Sequence, residues 1–204
     1  GELDDTVVLV TSDNGASAEG AEAGSFNELY FATGKMPDAE ENLKHYDQWG
    51  GPDTYPHYAF GWAVAGNTPY RYYKQTTYEG GLRVPFILST PDGEGAGMID
   101  PSFVHVSDVL PTLLDLTETK AAKTVNDMQQ MPFDGMSFAA EIEGNPASGP
   151  RKDQYFEVFG HRAFWSDGWK IVSPSRLNTW NVMAPALLDQ PWQLYDLKTD
   201  PGET

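Results

Sequence analysis

Cysteine is absent from this chain of 204 residues, and its absence excludes several kinds of site at once. A chain without cysteine has no internal disulfide bonds, no thiolate metal sites and no cysteine nucleophile. The same absence is compatible with oxidising and with reducing compartments, so it does not indicate where the protein resides.

Basic residues are scarce, because 13 Lys and Arg stand against 30 Asp and Glu and give a formal net charge of -17. Nucleic acids and anionic membranes are bound through clustered Lys and Arg, so neither is an expected partner. No apolar run approaches the roughly 20 residues that cross a bilayer. The chain is nevertheless 40% hydrophobic and 13% aromatic, which predicts a packed core. Any anion site must be built locally, from a metal ion or from individual cations.

The most informative segment is the run from Thr6 to Gly15, TVVLVTSDNG. Its apolar part, Val7 to Val10, is typical of a strand buried on both faces of a parallel sheet. Asp13 and Asn14 follow directly, and ligands of open α/β sheets bind beyond the carboxyl ends of strands. Carboxylate and amide oxygens suit Ca²⁺ or Mg²⁺. The alternative is a simple turn, which the composition Asp-Asn-Gly favours when taken alone.

Four segments resemble the sulfatase family, and they occur in that family's order. They are residues 3–15 (LDDTVVLVTSDNG), 74–85 (KQTTYEGGLRVP), 105–112 (HVSDVLPT) and 194–197 (LYDL). The resemblance spans nearly the whole chain and implies an α/β fold. It predicts part of an alkaline-phosphatase-like sheet-and-helix domain over residues 1–147, followed by a small antiparallel β-sheet subdomain over residues 148–204.

The same resemblance implies a chemistry. Sulfatases hydrolyse sulfate esters with a formylglycine, made from Cys or Ser in a Cys/Ser-x-Pro/Ala-x-Arg motif, and with a divalent cation, usually Ca²⁺, with Mg²⁺ possible. By resemblance, Asp13 and Asn14 are metal ligands and Lys74 is a catalytic residue that contacts the sulfate group. The implied substrate is a small-molecule or glycan sulfate ester, and the implied location is periplasmic or secreted.

The nucleophile motif of sulfatases is not recognisable here. The nearest candidate, Ser148-Gly149-Pro150-Arg151-Lys152, has Lys152 where the motif requires Arg. We therefore expect a C-terminal portion of a sulfatase that is inactive alone, with the formylglycine supplied by the N-terminal portion of the same protein. Two alternatives stay open: a phosphonate monoester or phosphodiester hydrolase of the same superfamily, and a non-catalytic acidic binding fragment.

Local patterns add expectations for several elements. Asp38 is predicted to cap a helix that runs to Gln48, and Ser107 to cap a second helix. Asp167-Gly168 is a short hairpin signal between two strands. The aromatic residues from 53 to 73 either line a cleft for an aryl group or fill the core, and for any single ring the core is favoured.

The helix after Ser107 carries apolar residues at helical spacing, which predicts one buried face. That face consists of Leu110, Leu113, Leu114 and Thr117. His105 precedes this helix and is interpreted as a structural residue at the helix entry rather than as an acid, base or ligand.

Overall fold

The computed structural model describes residues 1–91, 93, 95–142, 151–176, 178–181 and 185–204. Its α-helices are α1 (Tyr30–Thr33), α2 (Ala39–Leu43), α3 (Phe60–Asn67), α4 (Glu79–Leu82), α5 (Val109–Leu116) and α6 (Ala139–Ile142). Its strands are β1 (Val8–Thr11), β2 (Phe86–Ser89), β3 (Thr124–Val125), β4 (Met128–Gln129), β5 (Asp153–Val158), β6 (His161–Ser166), β7 (Trp169–Ser173) and β8 (Gln193–Asp196). Short 3₁₀ turns cover Glu2–Asp5, Tyr46–Gln48 and Val106–Asp108. The fold is α/β with a small antiparallel sheet, as predicted.

The chain forms two compact units that do not follow its linear order. One unit comprises residues 1–10 and 87–152, and the other comprises residues 11–86 and 153–204. The small antiparallel sheet thus belongs to the same unit as residues 11–86. The predicted boundary between residues 147 and 148 lies outside the described residues, as does Ser148, so that division of the chain stays a prediction.

Strand β1 differs from the expectation drawn from its composition. In the described part of the chain it pairs with β2 in a two-stranded sheet. Val8 is 38% exposed and Val10 is 56% exposed, so the prediction of a strand buried on both faces is wrong for this structure. Burial of both faces requires covering layers on each side, and apolar composition alone does not supply them.

A 3₁₀ turn precedes helix α5, so the helical segment begins at Val106, one residue before the predicted cap Ser107. The cap is His105, whose Nδ1 accepts from the backbone N–H of Ser107 at 3.3 Å, while the carboxylate of Asp108 accepts from the backbone N–H of His105 at 2.9 Å. The structural interpretation of His105 is confirmed, and the prediction that Ser107 is the cap is wrong.

The predicted apolar face of α5 is not its most buried face. Leu110 is 51% exposed, whereas Thr112 is buried. The Thr112 hydroxyl donates to the Asp108 carbonyl at 2.7 Å and accepts from the backbone N–H of Phe138 at 3.0 Å. Helix α5 is therefore tied to the segment before α6 by polar contacts, which an apolar periodicity does not reveal.

Asp108 is a buried charge of this unit. Its carboxylate accepts from Arg151 Nε at 3.2 Å, from Arg151 Nη2, and from the backbone N–H of Met136 at 2.9 Å. Burial raises the pKa of Asp108, but the Arg151 hydrogen bonds and the two backbone donors outweigh it, so the pKa lies below the ordinary value of 3.8.

We expect acid to weaken this unit through Asp108. A carboxyl with a depressed pKa in the folded state contributes stability above its unfolded pKa, near 3.8, and loses that contribution as pH falls through its folded pKa. The difference in unfolding free energy between wild type and Asp108→Asn should therefore shrink towards low pH, as measured by urea denaturation. Asp115→Asn, on the exposed side of α5, is the control for altering a helix carboxylate. If the difference in unfolding free energy between wild type and Asp108→Asn stays constant with pH, this role of Asp108 is contradicted.

The second unit contains the four-stranded antiparallel sheet in the order β5-β6-β7-β8. Strands β6 and β7 form the predicted hairpin, with Ser166 opposite Trp169 and a turn at Asp167-Gly168. Both turn residues have positive φ, 46° and 87°, which is the conformation that two-residue hairpins favour. One face of the sheet buries Ala163 and Val172 against Tyr78 from the segment before α4.

Helix α2 has the predicted cap, Asp38, but is shorter than predicted. The Asp38 carboxylate accepts from the backbone N–H of Glu41 at 2.8 Å. The helix ends at Leu43 and is followed by the 3₁₀ turn that reaches Gln48. In the described part of the chain, no helix has the length and apolar character needed to cross a membrane.

Candidate active site

The turn at Asp13-Asn14-Gly15 is anchored to helix α4 through a very close backbone contact. The N–H of Gly15 donates to the Gly81 carbonyl at 3.2 Å. A Cβ atom at Gly15 would lie 1.7 Å from the Gly80 carbonyl oxygen. Glycine is therefore required at position 15, because a side chain would force the turn away from α4.

Asn67, the last residue of α3, joins three segments around this turn. Its Oδ1 accepts from the backbone N–H of Ala16 at 3.0 Å. Its Nδ2 donates to the carbonyls of Tyr72 and Gly80, at 2.9 and 2.8 Å. These contacts satisfy backbone groups that no regular element pairs, so Asn67 fixes the position of the turn relative to the Lys74 segment.

Lys74 is attached to the same turn. Its backbone N–H donates to the Ala16 carbonyl at 3.0 Å. Its ammonium group donates to Glu19 Oε2 at 2.8 Å, and the side chains of Lys74 and Glu19 are 31% and 17% exposed. The three predicted site residues thus belong to one cluster of loops, and the carboxylate of Glu19, which no sequence pattern predicts, binds the Lys74 side chain.

Glu19 is the centre of a hydrogen-bond network. Besides Lys74, its carboxylate accepts from Ser17 Oγ at 2.9 Å and from Gln75 Nε2. Burial raises the pKa of Glu19, but the hydrogen bonds from Lys74, Ser17 and Gln75 outweigh it and bring the pKa below the ordinary value of 4.5. Glu19 therefore stays ionised and holds the ammonium group of Lys74 in place.

His57 extends this network to a third segment. Its Nδ1 lies 2.9 Å from the Tyr58 carbonyl, and its Nε2 lies 3.0 Å from Ser17 Oγ. A carbonyl oxygen only accepts, so Nδ1 carries a proton. The Ser17 hydroxyl donates its single proton to Glu19, and its oxygen lies within hydrogen-bond distance of His57 Nε2. The buried histidine is thereby linked to the Lys74 and Glu19 pair through one serine.

Asp13 and Asn14 occupy the tip of the turn. Asp13 is exposed, and Asn14 is half-buried with its Nδ2 donating to the Gly15 carbonyl at 2.9 Å. Their oxygens are chemically suited to a hard cation such as Ca²⁺, which takes six to eight oxygen ligands, and they fit it as part of a larger shell. The described residues contain no group of three or more His, Asp and Glu side chains placed to hold a metal ion.

Comparison with known proteins identifies the family. The family described as Sulfatase matches residues 1–119, and the one described as N-sulphoglucosamine sulphohydrolase, C-terminal, matches residues 69–204. The chain belongs to the sulfatase family. An uncharacterised sulfatase of Schizosaccharomyces pombe is 31% identical over 100% of this chain and 34% of its own length. An arylsulfatase of Klebsiella aerogenes is 31% identical over 66% of this chain and 28% of its own length.

A solved structure agrees on the fold of this sulfatase chain. The PsFucS1 sulfatase from Pseudoalteromonas sp. superposes with a TM-score of 0.58 at 22% identity, over 100% of this chain and 33% of that one. The chain thus spans about a third of the length of the relatives it matches. The roles of Asp13 and Asn14 as metal ligands and of Lys74 as a sulfate contact stay predictions.

Four residues of this network are not predicted by any sequence pattern: Ser17, Glu19, His57 and Asn67. No local signal marks them. Glu19 lies in a stretch of small and acidic residues that reads as a loop, and its partner Lys74 is 55 positions away. Side chains that meet across such a separation are identified by the fold, not by spacing.

Proposed function

We propose that this chain is the C-terminal portion of an arylsulfatase-like enzyme that hydrolyses sulfate esters with a divalent cation, Ca²⁺ or Mg²⁺. Asp13 and Asn14 would ligate the cation, and Lys74 would contact the sulfate group. The observation that carries the proposal is the hydrogen bond from the Lys74 backbone N–H to the Ala16 carbonyl, 3.0 Å long, which joins the lysine segment to the Asp13-Asn14-Gly15 turn.

Lys74 supplies positive charge in a chain whose net charge is -17. An ammonium group has three protons, and in the free chain one of them is directed to Glu19. The other two are available to sulfuryl oxygens, whose negative charge is redistributed during ester cleavage. Glu19 acts as a positioning residue, because its carboxylate accepts one hydrogen bond from the amine and thereby orients it.

The bound cation would supply Lewis acidity and orient the sulfate group. The chain's own residues do not fit the formylglycine nucleophile, because cysteine is absent and Ser148-Gly149-Pro150-Arg151-Lys152 departs from the required motif. We therefore place the nucleophile in an N-terminal portion of the same protein, which makes that portion the partner of this chain.

An activity assay tests this proposal. We expect the 204-residue chain with millimolar Ca²⁺ to leave 4-nitrocatechol sulfate unhydrolysed, and addition of the N-terminal portion of the same protein to restore turnover. Lys74→Met should then lower turnover by about 100-fold, because it removes a charge that stabilises the transition state. Lys35→Met, which changes an exposed lysine in the same unit, is the matched control.

Three outcomes would contradict the proposal. Turnover by the chain alone would show that the nucleophile lies within it. Unchanged turnover in Lys74→Met would remove the lysine from the site. Restored hydrolysis of a phosphonate monoester or a phosphodiester, but not of a sulfate ester, would favour the other branch of the superfamily.

A further inference from the structure

A shallow cleft lined by aromatic rings lies in the unit that contains the candidate site. It has a volume of about 430 Å³, within the range of small-molecule sites. Its lining residues are Ala23, Gly24, Trp49, Pro56, His57, Tyr58, Ala59 and Trp62. The small residues leave space between the rings.

Three large rings of this cleft are exposed. Trp62 is 72% exposed, Trp49 is 41% exposed and Tyr58 is 44% exposed. Helix α3 carries Trp62 and is almost wholly apolar, yet of its residues only Ala63 is buried. Within the aromatic stretch from 53 to 73, the core interpretation is right for Tyr73, which is 5% exposed, and wrong for Tyr58 and Trp62. Exposed large aromatic residues grouped around one concavity are typical of a binding site.

The polar atoms of the cleft indicate which kind of ring it takes. Both ring nitrogens of His57 are engaged, by the Tyr58 carbonyl and by Ser17 Oγ. The Tyr58 hydroxyl accepts from the backbone N–H of Ser17 at 2.9 Å and keeps one proton to donate. A pyranose needs partners for its several hydroxyl groups, whereas an aryl ring needs apolar and aromatic faces. The lining favours an aryl ring.

Hydrogen bonds also link the cleft to the candidate site. His57 and Tyr58 line the cleft, and both are hydrogen-bonded to Ser17. Ser17 in turn donates to Glu19, which binds the ammonium group of Lys74. A single chain of hydrogen bonds therefore connects the aromatic lining to the amine that we assign to the sulfate group.

From this geometry we propose that the cleft at Trp49, Tyr58 and Trp62 binds the aromatic ring of an aryl sulfate ester. This inference rests on the proposed function for the identity of the ester. The ring would stack on the two tryptophans, and the sulfate group would be directed towards Lys74. Trp62 is the main determinant, because it is the most exposed of the three rings.

Calorimetric titration of the 204-residue chain tests the inference without requiring catalysis. The probes are 4-nitrophenol, 4-nitrophenyl sulfate and methyl β-D-glucopyranoside. We expect both aryl probes to bind, and Trp62→Ala to weaken both by about tenfold or more, since truncated tryptophans of binding sites cost this much. Trp62→Phe should retain part of the affinity. Trp192→Ala is the control, because Trp192 is 49% exposed and lies outside the cleft.

The outcomes separate the two proposals. If 4-nitrophenol binds in a Trp62-dependent way, the cleft is supported. If, in addition, 4-nitrophenyl sulfate binds no more tightly than 4-nitrophenol, or Lys74→Met leaves its tighter binding unchanged, the role of Lys74 is contradicted. Binding of 4-nitrophenyl sulfate that Lys74→Met weakens and Trp62→Ala leaves unchanged would overturn the cleft. Absence of binding by either aryl probe up to millimolar concentration, or preferential binding of the glucoside, would overturn it as well. Far-UV circular dichroism verifies that each variant is folded.

Discussion

Replacing Lys170 by methionine is expected to lower the free energy of unfolding by about 3–5 kcal/mol, the usual consequence of removing one partner of a buried ion pair. Lys170 is 1% exposed, and its ammonium lies 2.8 Å from Glu79 Oε1 and 2.9 Å from Glu203 Oε1. Without the lysine, two carboxylates are left close together with no buried counter-charge. Urea denaturation followed by circular dichroism measures the loss.

The loss of stability in Lys170→Met is also expected to depend on pH, because of Glu203. Burial raises the pKa of Glu203, and the opposing effect of Lys170 does not cancel it, so the pKa lies above the ordinary value of 4.5. A carboxyl with a raised pKa contributes stability that is fully present below its unfolded pKa and is lost as pH rises through its folded pKa. The cost of Lys170→Met should therefore be larger at neutral pH than near pH 4.5.

A matched control separates burial from charge. Lys198 forms an ion pair with Asp167 on the surface, where the side chains are 63% and 88% exposed. Lys198→Met should change stability little, because exposed pairs are screened by water and salt. A similarly small change in Lys170→Met would show that the buried cluster of Lys170, Glu79 and Glu203 does not stabilise the fold.

The buried cluster connects a remote part of the sequence to the candidate site. Glu203 Oε2 accepts from the backbone N–H of Glu79 at 2.6 Å, and the Glu203 carbonyl accepts from Arg71 at 2.9 Å. Glu79 is the first residue of α4, whose Gly80 and Gly81 contact the Gly15 turn. The small sheet and the end of the chain thus hold the turn that carries Asp13 and Asn14.

Sequence patterns predicted the parts of the structure that depend on neighbouring residues. The Asp167-Gly168 hairpin and the Asp38 cap are set by residues within four positions of each other, and both are confirmed. The burial of Val8 and Val10 depends on what covers them, and that prediction is wrong for this structure.

The same limit applies to the site. That Lys74 lies near the Asp13-Asn14-Gly15 turn was expected from the roles that the resemblance to the sulfatase family implies. The residues that hold Lys74 there could not be predicted, because Glu19, Asn67 and His57 form hydrogen bonds with residues far away in the sequence. Lys170 and Glu203 are charged residues that composition alone assigns to the surface, and their burial follows only from their pairing across the fold.

Gly15→Ala is expected to displace the Asp13-Asn14-Gly15 turn and to disable the candidate site. The added Cβ would lie 1.7 Å from the Gly80 carbonyl oxygen, a backbone atom that cannot rotate away. Overpacking of this kind costs about 1–3 kcal/mol in unfolding free energy. A misplacement of about 1 Å in a catalytic group can lower turnover by about 100-fold. We expect both losses, the first in urea denaturation of the chain and the second in the assay reconstituted with the N-terminal portion.

Gly61→Ala is the matched control, because Gly61 lies in helix α3 and a Cβ there meets no atom within 4 Å. Alanine is the better helix former, so this variant should gain about 0.5–1 kcal/mol and keep its turnover. If Gly15→Ala is as stable as wild type, α4 moves to make room for the added Cβ. Loss of stability with full turnover would mean that the turn can move without affecting chemistry, and Asp13 and Asn14 would then have no place in the reaction.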